Sequence, residues 1–156
     1  VVPLRNMGAA LSPFNAFLIM QGLETLALRM ERHSDNAEKV VELLDGHPAV
    51  ASVIYPGLAS HPSHKVAAKQ MRRFGGMISV RLKGGKAAAL DLCSRTEIFT
   101  LAESLGGVES LIEFPGAMTH ASTAGSALEV PDDLVRLSVG IEDASDLVGD
   151  IEQALS

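Results

Sequence analysis

Alternating polarity in two short segments is the feature that most constrains the fold. Apolar and polar side chains alternate along residues 77–82, and they alternate again along residues 135–139. Because successive side chains of a β-strand point to opposite faces, each segment predicts a strand with one covered face. Stretches of helical periodicity lie before, between and after these strands. We therefore expect an α/β fold whose sheet is at least partly antiparallel and carries helices mainly on one face.

The first helix has a well-marked start. Ser12 is a favoured N-cap residue, and Pro13 suits the first helical position because the N–H that it lacks has no helical partner there. Apolar residues continue at helical spacing as far as Met30, which predicts a largely buried helix. Asp35 followed by Glu38 resembles a capping box, so either a second helix begins at this point or the first helix continues through it.

The remaining pattern divides the chain into a short lead-in and one domain. Residues 1–11 show no periodicity and are expected to form a lead-in or connecting segment, with the domain over residues 12–156. Further strands are expected over 50–55, 98–101 and 110–112, and further helices over 63–73, over 86–93 and after an acidic first turn that begins at Glu142. Between residues 102 and 126 the periodicity mostly lapses, which predicts ordered loops of the kind that often carry function.

Composition excludes several classes of protein. The single cysteine, Cys93, cannot form an internal disulfide, is compatible with a reducing cytoplasm and is expected to pack in the core. No segment reaches the roughly 20 uninterrupted apolar residues of a membrane span, and we expect no secretory signal. A net charge of −6 and an aromatic content of 4% offer little for binding phosphate backbones or stacking bases. We therefore expect neither nucleic acid nor a membrane as a partner.

Arg136 stands out because of its electrostatic surroundings. From residue 96 onward the chain carries 12 acidic residues and one formal cation, Arg136, which lies within a predicted strand. A guanidinium can hold a carboxylate through two parallel hydrogen bonds, so a ligand carboxylate is one possible partner. A structural ion pair with an acidic residue of the same segment is the alternative. The glycine-rich loop 103–107 can supply further donors to a bound anion.

His61 and His64 are three residues apart, a spacing that metal sites use. Pro62 between them makes a shared helical face doubtful, and no third ligand is evident nearby. A solvated helix start is therefore the preferred interpretation, and no metal site is expected.

Several short motifs follow one another along the chain in a recognisable order. They are LSPF (11–14), LRMERH (28–33), YPGL (55–58), LAESLGGVESLI (101–112), MTHAS (118–122) and VRLSVGIE (135–142). Over nearly the whole chain they resemble the C-terminal domain of the transsulfuration group of pyridoxal-phosphate enzymes. The resemblance implies the small domain of a fold-type-I enzyme. Residues 118–140 are most similar to members that join an O-acyl-homoserine to cysteine in methionine biosynthesis, although lyases and homoserine-ester sulfhydrylases share nearly all of the motifs.

The resemblance also implies roles for four residues. Arg136 would bind the α-carboxylate of an amino-acid substrate with help from Ser104. Glu103 would pair with the ammonium group of the incoming or distal amino acid, and Thr119 would line the same pocket. From the residues alone, Glu103 and Thr119 are also compatible with ordinary loop positions.

The cofactor implied by the resemblance is pyridoxal 5′-phosphate. In this family the lysine that carries it lies in a larger N-terminal domain, and none of the motifs of that domain occurs here. The chain has five other lysines, namely Lys39, Lys65, Lys69, Lys83 and Lys86. We therefore expect an enzyme fragment, inactive alone, of a cytoplasmic homotetramer that acts on small amino acids. A binding module that keeps this fold without catalysis is the alternative from another functional class.

Overall fold

The computed structural model describes residues 6–8, 10–123 and 125–156. The elements in these ranges are α1 (Pro13–Glu24), α2 (Leu26–Leu44), β1 (Val50–Ile54), α3 (His64–Gln70), β2 (Met77–Leu82), α4 (Gly85–Arg95), β3 (Thr100–Leu101), β4 (Leu111–Glu113), α5 (Pro115–Met118), a 3₁₀ turn (Ala121–Thr123), β5 (Leu134–Ser138) and α6 (Ala144–Leu155). Residues 1–5 and 9 of the predicted lead-in lie outside the described residues.

The five strands form one mixed sheet in the order β1-β2-β5-β4-β3. The pairs β1–β2, β2–β5 and β5–β4 are antiparallel, whereas β3 and β4 are parallel. The expected α/β class with a partly antiparallel sheet is therefore confirmed. The two segments of alternating polarity are the adjacent strands β2 and β5 at the centre of this sheet.

The register separates an apolar face from a polar one. Val80 lies opposite Val135, and Ile112 lies opposite Leu137, so these fully buried side chains share one face. Helices α2 and α4 pack against that face, and α6 packs against both of these helices, so that the three helices and the sheet form the main core. On the other face Arg136 lies opposite Glu113 on one side and Ser79 on the other. The sheet thus presents a charged pair on the side away from the helices.

Helix α1 begins as predicted but its burial was predicted wrongly. Ser12 Oγ accepts a hydrogen bond from the Asn15 N–H at 3.2 Å, and Pro13 occupies the first turn. No residue of α1 is buried, and Phe14 is 68% exposed. The helix carries apolar side chains on all of its sides, and within the described ranges α2 is the one element with more than slight contact to it. Periodicity indicates that such a helix needs a partner, but it does not show where the partner lies.

The capping box predicted at Asp35 and Glu38 is also wrong. Both residues lie inside α2, which begins directly after Thr25, so α1 and α2 are two separate helices. The Arg73 guanidinium donates hydrogen bonds to the carboxylates of Asp35 and Glu38, at 2.7 and 3.0 Å. These two acids serve a tertiary ion-pair cluster and do not cap a helix.

Several other elements differ from the prediction mainly at their ends. The basic helix stops at Gln70, the strand near residue 100 has two residues, and β4 extends one residue beyond the predicted strand. The segment after residue 102, predicted to be mostly loop with a strand over 110–112, also contains the short helix α5. None of the described helices has the length and apolarity needed to cross a membrane.

Candidate functional site

The Arg136 side chain emerges from the centre of β5 and is held through one nitrogen. Its Nη2 donates hydrogen bonds to the carbonyl oxygens of Glu103, at 2.8 Å, and of Ser104, at 3.2 Å. The same nitrogen forms an ion pair with Glu113. Among the described residues, Nε and Nη1 have no hydrogen-bond partner, and the side chain is 19% exposed. The guanidinium is thus anchored at Nη2 and retains donors at Nε and Nη1.

Glu113 is the buried half of this ion pair. It ends β4, where its carboxylate is 1% exposed. Thr119 Oγ1 donates a hydrogen bond to Glu113 Oε1 at 2.5 Å and lies 2.7 Å from His120 Nδ1. Because the hydroxyl has one hydrogen and gives it to Glu113, it must accept the second bond from a proton on Nδ1. Hydrogen bonds therefore connect the exposed His120 to the buried carboxylate.

A hydrogen bond attaches the loop before β4 to strand β5. The Gly106 N–H donates to the Ser138 hydroxyl at 2.8 Å. Gly106 has a φ of +77°, a conformation that other residues rarely adopt, so this turn requires glycine. Together with the carbonyls bonded to Arg136, this contact fixes the loop 103–106 over the polar face of the sheet.

A second clamp holds the far end of the same loop. The backbone N–H and the hydroxyl of Ser110 donate to the Glu142 carboxylate, at 2.6 and 2.9 Å, while the Gly140 N–H donates to the Ser110 hydroxyl at 2.8 Å. A Cβ at Gly140 would lie 2.3 Å from the Val108 carbonyl oxygen. The backbones approach so closely here that only glycine fits.

The structure brings the four residues named from the sequence into one cluster with Glu113. Glu103 and Ser104 contribute their carbonyl oxygens to the anchorage of Arg136, while their side chains remain exposed. Thr119 belongs to the cluster because its hydroxyl donates a hydrogen bond to Glu113. We call Arg136, Glu113, Glu103, Ser104 and Thr119 the arginine cluster. The structural ion pair, which was the alternative for Arg136, is therefore present, and it leaves two of the guanidinium nitrogens available.

Glu113 was missed by the sequence analysis. Its signal is weak but physical, because it is an acid between Ile112 and Phe114 in an otherwise apolar run. A charge in a buried strand needs a compensating partner, and Arg136 is the matching cation of the same segment. The register of β4 against β5 makes the two residues direct neighbours.

The other singled-out side chains have ordinary structural surroundings. Cys93 is buried, as predicted; burial raises the pKa of its thiol to about 11, and the nearby negative charge of Glu113 adds to this effect. His61 Nδ1 accepts from the Ser63 N–H at 3.1 Å, and His64 Nδ1 donates to the Pro56 carbonyl at 2.8 Å. Within the described ranges, His, Cys, Asp and Glu side chains form no group that could hold a metal ion.

A small cavity of about 100 Å³ adjoins the loop of the arginine cluster. Leu105, Gly106 and Ser138 line one side of it, and Met30 and His33 line another. Larger hollows of about 240 and 250 Å³ lie elsewhere, beside Arg73 and beside Tyr55. The arginine cluster is therefore not associated with either of these two larger hollows.

The lysines of this chain do not fit the attachment of a pyridoxal cofactor. Lys39 pairs with the Glu42 carboxylate at 3.1 Å, Lys83 donates to the Pro48 carbonyl at 2.8 Å, and Lys86 lies 3.9 Å from Asp132. Lys65 and Lys69 are exposed on α3. No lysine of the described part forms a hydrogen bond or an ion pair with a member of the arginine cluster.

Known proteins and a protein-family model match this chain over almost its whole length. A family model described as "Cys/Met metabolism PLP-dependent enzyme" matches residues 2–156. Cystathionine gamma-synthase of Mycobacterium tuberculosis is 70% identical over 148 residues, which are 95% of this chain and 38% of the relative.

Two crystal structures match in three dimensions. That of metB from Corynebacterium glutamicum has a TM-score of 0.90 at 62% identity and covers 96% of this chain and 39% of that one. Cystathionine gamma synthase from Xanthomonas oryzae pv. oryzae, in complex with aminoacrylate and cysteine, has a TM-score of 0.87 at 48% identity, with 96% and 40% covered. The chain thus spans about two fifths of the length of these relatives.

Proposed function

The chain belongs to the family of Cys/Met metabolism PLP-dependent enzymes, and we propose that it provides the substrate-carboxylate site of a cystathionine gamma-synthase. The reaction that we assign to the whole enzyme joins an O-acyl-homoserine to cysteine. Identity of 70% to a mycobacterial cystathionine gamma-synthase supports this choice within the family.

The observation that carries the proposal is the one-sided anchorage of Arg136. Its Nη2 is occupied by Glu113 and by two carbonyl oxygens, whereas Nε and Nη1 have no partner among the described residues. A substrate α-carboxylate would accept a hydrogen bond from one of these nitrogens, and such a charge-assisted bond contributes about 1.5–3 kcal/mol when water is excluded. Fixing the carboxylate orients the bonds at the substrate α-carbon and so lowers the entropic cost of reaction.

The other proposed binding residues act around this anchor. The Ser104 hydroxyl would assist in binding the α-carboxylate. The exposed Glu103 side chain would pair with the ammonium group of cysteine while its carbonyl holds Arg136. Thr119 would line the same pocket and, through its hydroxyl bond, would keep the Glu113 carboxylate in place.

We further propose that the cofactor is bound outside this chain. The five lysines are exposed or engaged elsewhere, so the substrate domain, over residues 12–156, would act together with a polypeptide portion that carries the attachment lysine. The chain alone would then be inactive. We assign the complete enzyme to the cytoplasm as a homotetramer, in keeping with the family resemblance.

The proposal is tested with Arg136→Lys in the full-length holoenzyme. Lysine keeps a positive charge beside Glu113 but lacks the Nε and Nη1 donors of arginine, so kcat/KM for the homoserine ester should fall about 10- to 100-fold. Arg81→Lys is the matched control, because Arg81 is also an arginine of the polar face and pairs with Asp133. An unchanged kcat/KM for Arg136→Lys would reject the assignment of the carboxylate site.

Product analysis tests the reaction class. Full-length holoenzyme supplied with O-acyl-homoserine and cysteine should form cystathionine, and this should be faster than any breakdown of cystathionine supplied alone. Preferential breakdown of cystathionine would identify a lyase. Binding of amino acids without turnover would favour the binding module.

A further inference from the structure

We propose that Glu113 is a positioning residue that sets the orientation of the Arg136 guanidinium for the substrate carboxylate. This inference rests on the proposed function of Arg136. Glu113 itself would not touch the substrate, because its carboxylate is 1% exposed and lies against Nη2 of Arg136.

The first argument is the geometry of the pair. Glu113 and Arg136 lie directly opposite each other on the antiparallel strands β4 and β5, so the sheet fixes the distance between their backbones. A guanidinium held only by carbonyl oxygens could rotate about its side-chain torsions. The carboxylate adds a charged contact at the same nitrogen, and this contact leaves the N–H groups of Nε and Nη1, which point in different directions, as the donors that remain for a ligand.

The second argument is that Glu113 is itself held in position. Its Oε1 accepts from the Thr119 hydroxyl, and that hydroxyl accepts from His120 Nδ1. Oε1 is therefore held by a hydrogen bond from Thr119, whereas Oε2 has no hydrogen-bond partner among the described residues and contacts Arg136 as an ion pair. A carboxylate fixed in this way cannot turn to offer both oxygens to the arginine, so it constrains the guanidinium instead of covering it.

The third argument concerns charge. Glu113 neutralises Arg136 before any ligand binds, so an incoming carboxylate adds a second negative charge near the first. The pair therefore weakens the raw electrostatic attraction for a substrate but fixes the geometry of its binding. Such a site is expected to select carboxylates by the placement of its donors and not by net positive charge.

The test is a double-mutant cycle with Glu113→Gln and Arg136→Lys in the full-length holoenzyme. Glutamine keeps the shape and the acceptor for Thr119 but loses the charge that orients the guanidinium. We expect KM for the homoserine ester to rise roughly 10-fold in Glu113→Gln, since small misplacements of an anchoring group cost up to about 100-fold. In the Arg136→Lys background the same substitution should raise KM by less than about twofold, because the group that it positions is already gone.

A substrate analogue separates positioning from simple loss of folded enzyme. Loss of folded enzyme lowers kcat for every substrate equally and leaves KM unchanged. Loss of positioning lowers kcat/KM for the α-carboxylate substrate but not for its α-carboxamide, so the preference between the two should shrink about tenfold in Glu113→Gln. Equal losses for both compounds would overturn the inference.

Thr119→Val and Thr119→Ser provide a second route if Glu113→Gln does not fold. Valine removes the hydroxyl that holds Glu113, and serine keeps it, so we expect a raised KM in Thr119→Val and recovery in Thr119→Ser. Equal KM values in these two variants would contradict the role of Glu113.

The outcomes distinguish the two proposals. If Arg136→Lys is without effect, the proposed carboxylate site fails. If Arg136→Lys raises KM while Glu113→Gln adds the same factor in both backgrounds, the carboxylate site stands and the positioning role is rejected.

Discussion

Arg136 and Glu113 face each other across β5 and β4 and form an ion pair on the sheet face away from the helices. The carboxylate is almost fully buried, whereas the guanidinium retains access to solvent. This asymmetry means that the pair is not an ordinary surface salt bridge. The buried carboxylate of Glu113 compensates the charge of Arg136, which is the one formal cation of the acidic C-terminal segment.

Removing the cation should destabilise the fold. Arg136→Ala leaves the buried carboxylate of Glu113 without its partner, so the free energy of unfolding of the chain should fall by about 3 kcal/mol at neutral pH. Adding Glu113→Gln should recover part of that loss. Arg81→Ala, which breaks the more exposed pair with Asp133, should cost under about 1 kcal/mol. Urea unfolding measures all three, and equal costs for the two arginines would contradict the buried role of Glu113.

Asp150 should be a main determinant of acid stability. Its carboxylate accepts hydrogen bonds from the backbone N–H groups of Glu97, Ile98 and Phe99 at 2.7–2.9 Å. Burial raises the pKa of Asp150, but these bonds outweigh burial and hold the pKa below its usual value. The stabilisation is therefore present above the ordinary pKa of about 4 and disappears as the pH falls through the lower, folded value.

Asp150→Asn tests that linkage. The amide offers one acceptor oxygen in place of two, so unfolding free energy at pH 7 should fall by about 1–3 kcal/mol. The difference from the unsubstituted chain should shrink as the pH is lowered below about 4. Asp146→Asn, at an exposed position of the same helix, is the control. A difference that persists unchanged into strong acid would show that the charge of Asp150 is not responsible.

Cys93 should be chemically inert in the folded chain. Burial together with the charge of Glu113 raises the pKa of its thiol to about 11, and the reactive species is the thiolate. Labelling by a thiol reagent at pH 8 should therefore be at least ~100-fold slower in the folded chain than in urea. The raised pKa stabilises the fold below about pH 8.5, and this contribution is lost as the pH rises toward 11. Comparable labelling rates would contradict the burial of the thiol.

Helix α1 should make the chain associate with itself. Phe14 and Phe17 are 68% and 55% exposed, on a helix without buried residues. Phe14→Gln with Phe17→Gln should reduce association, measured by sedimentation, while changing the unfolding free energy by less than about 0.5 kcal/mol. Leu44→Ala, at a fully buried position of α2, should instead cost about 2–5 kcal/mol without reducing association.

Glu103→Ala should separate the two amino acids of the proposed reaction. In the full-length holoenzyme it should slow the cysteine-dependent reaction about fivefold, the size of one exposed ion pair, and slow the reaction of the homoserine ester with water less. Glu109→Ala is the control, because Glu109 is another exposed acid of the same loop. Equal losses in both reactions would mean that Glu103 does not contact the second amino acid.

Local patterns predicted those features that depend on backbone geometry. The alternation along residues 135–139 placed Arg136 on the face opposite to Val135 and Leu137 because side chains of a strand must alternate. The start of α1 followed from Ser12 and Pro13 because a helix cap involves only neighbouring residues.

Such local patterns did not predict contacts between residues that are distant in sequence. The pairing of Glu113 with Arg136 depends on the register of two strands that are distant in sequence. Asp35 and Glu38 match a capping box locally, yet Arg73 attracts both from another element. The exposure of α1 depends on which partner packs against it, and the periodicity of a helix carries no information on that point.

The carbonyl oxygen of Glu103, and not its carboxylate, holds the guanidinium of Arg136. Every amino acid has that carbonyl, so residue 103 can be exchanged while the anchor persists. Under the proposed function, a substitution at this position would therefore change the contact with the second amino acid while the backbone contact to Arg136 is kept. The side chain of residue 103 can therefore vary among enzymes with this fold while the backbone contact to the arginine stays the same.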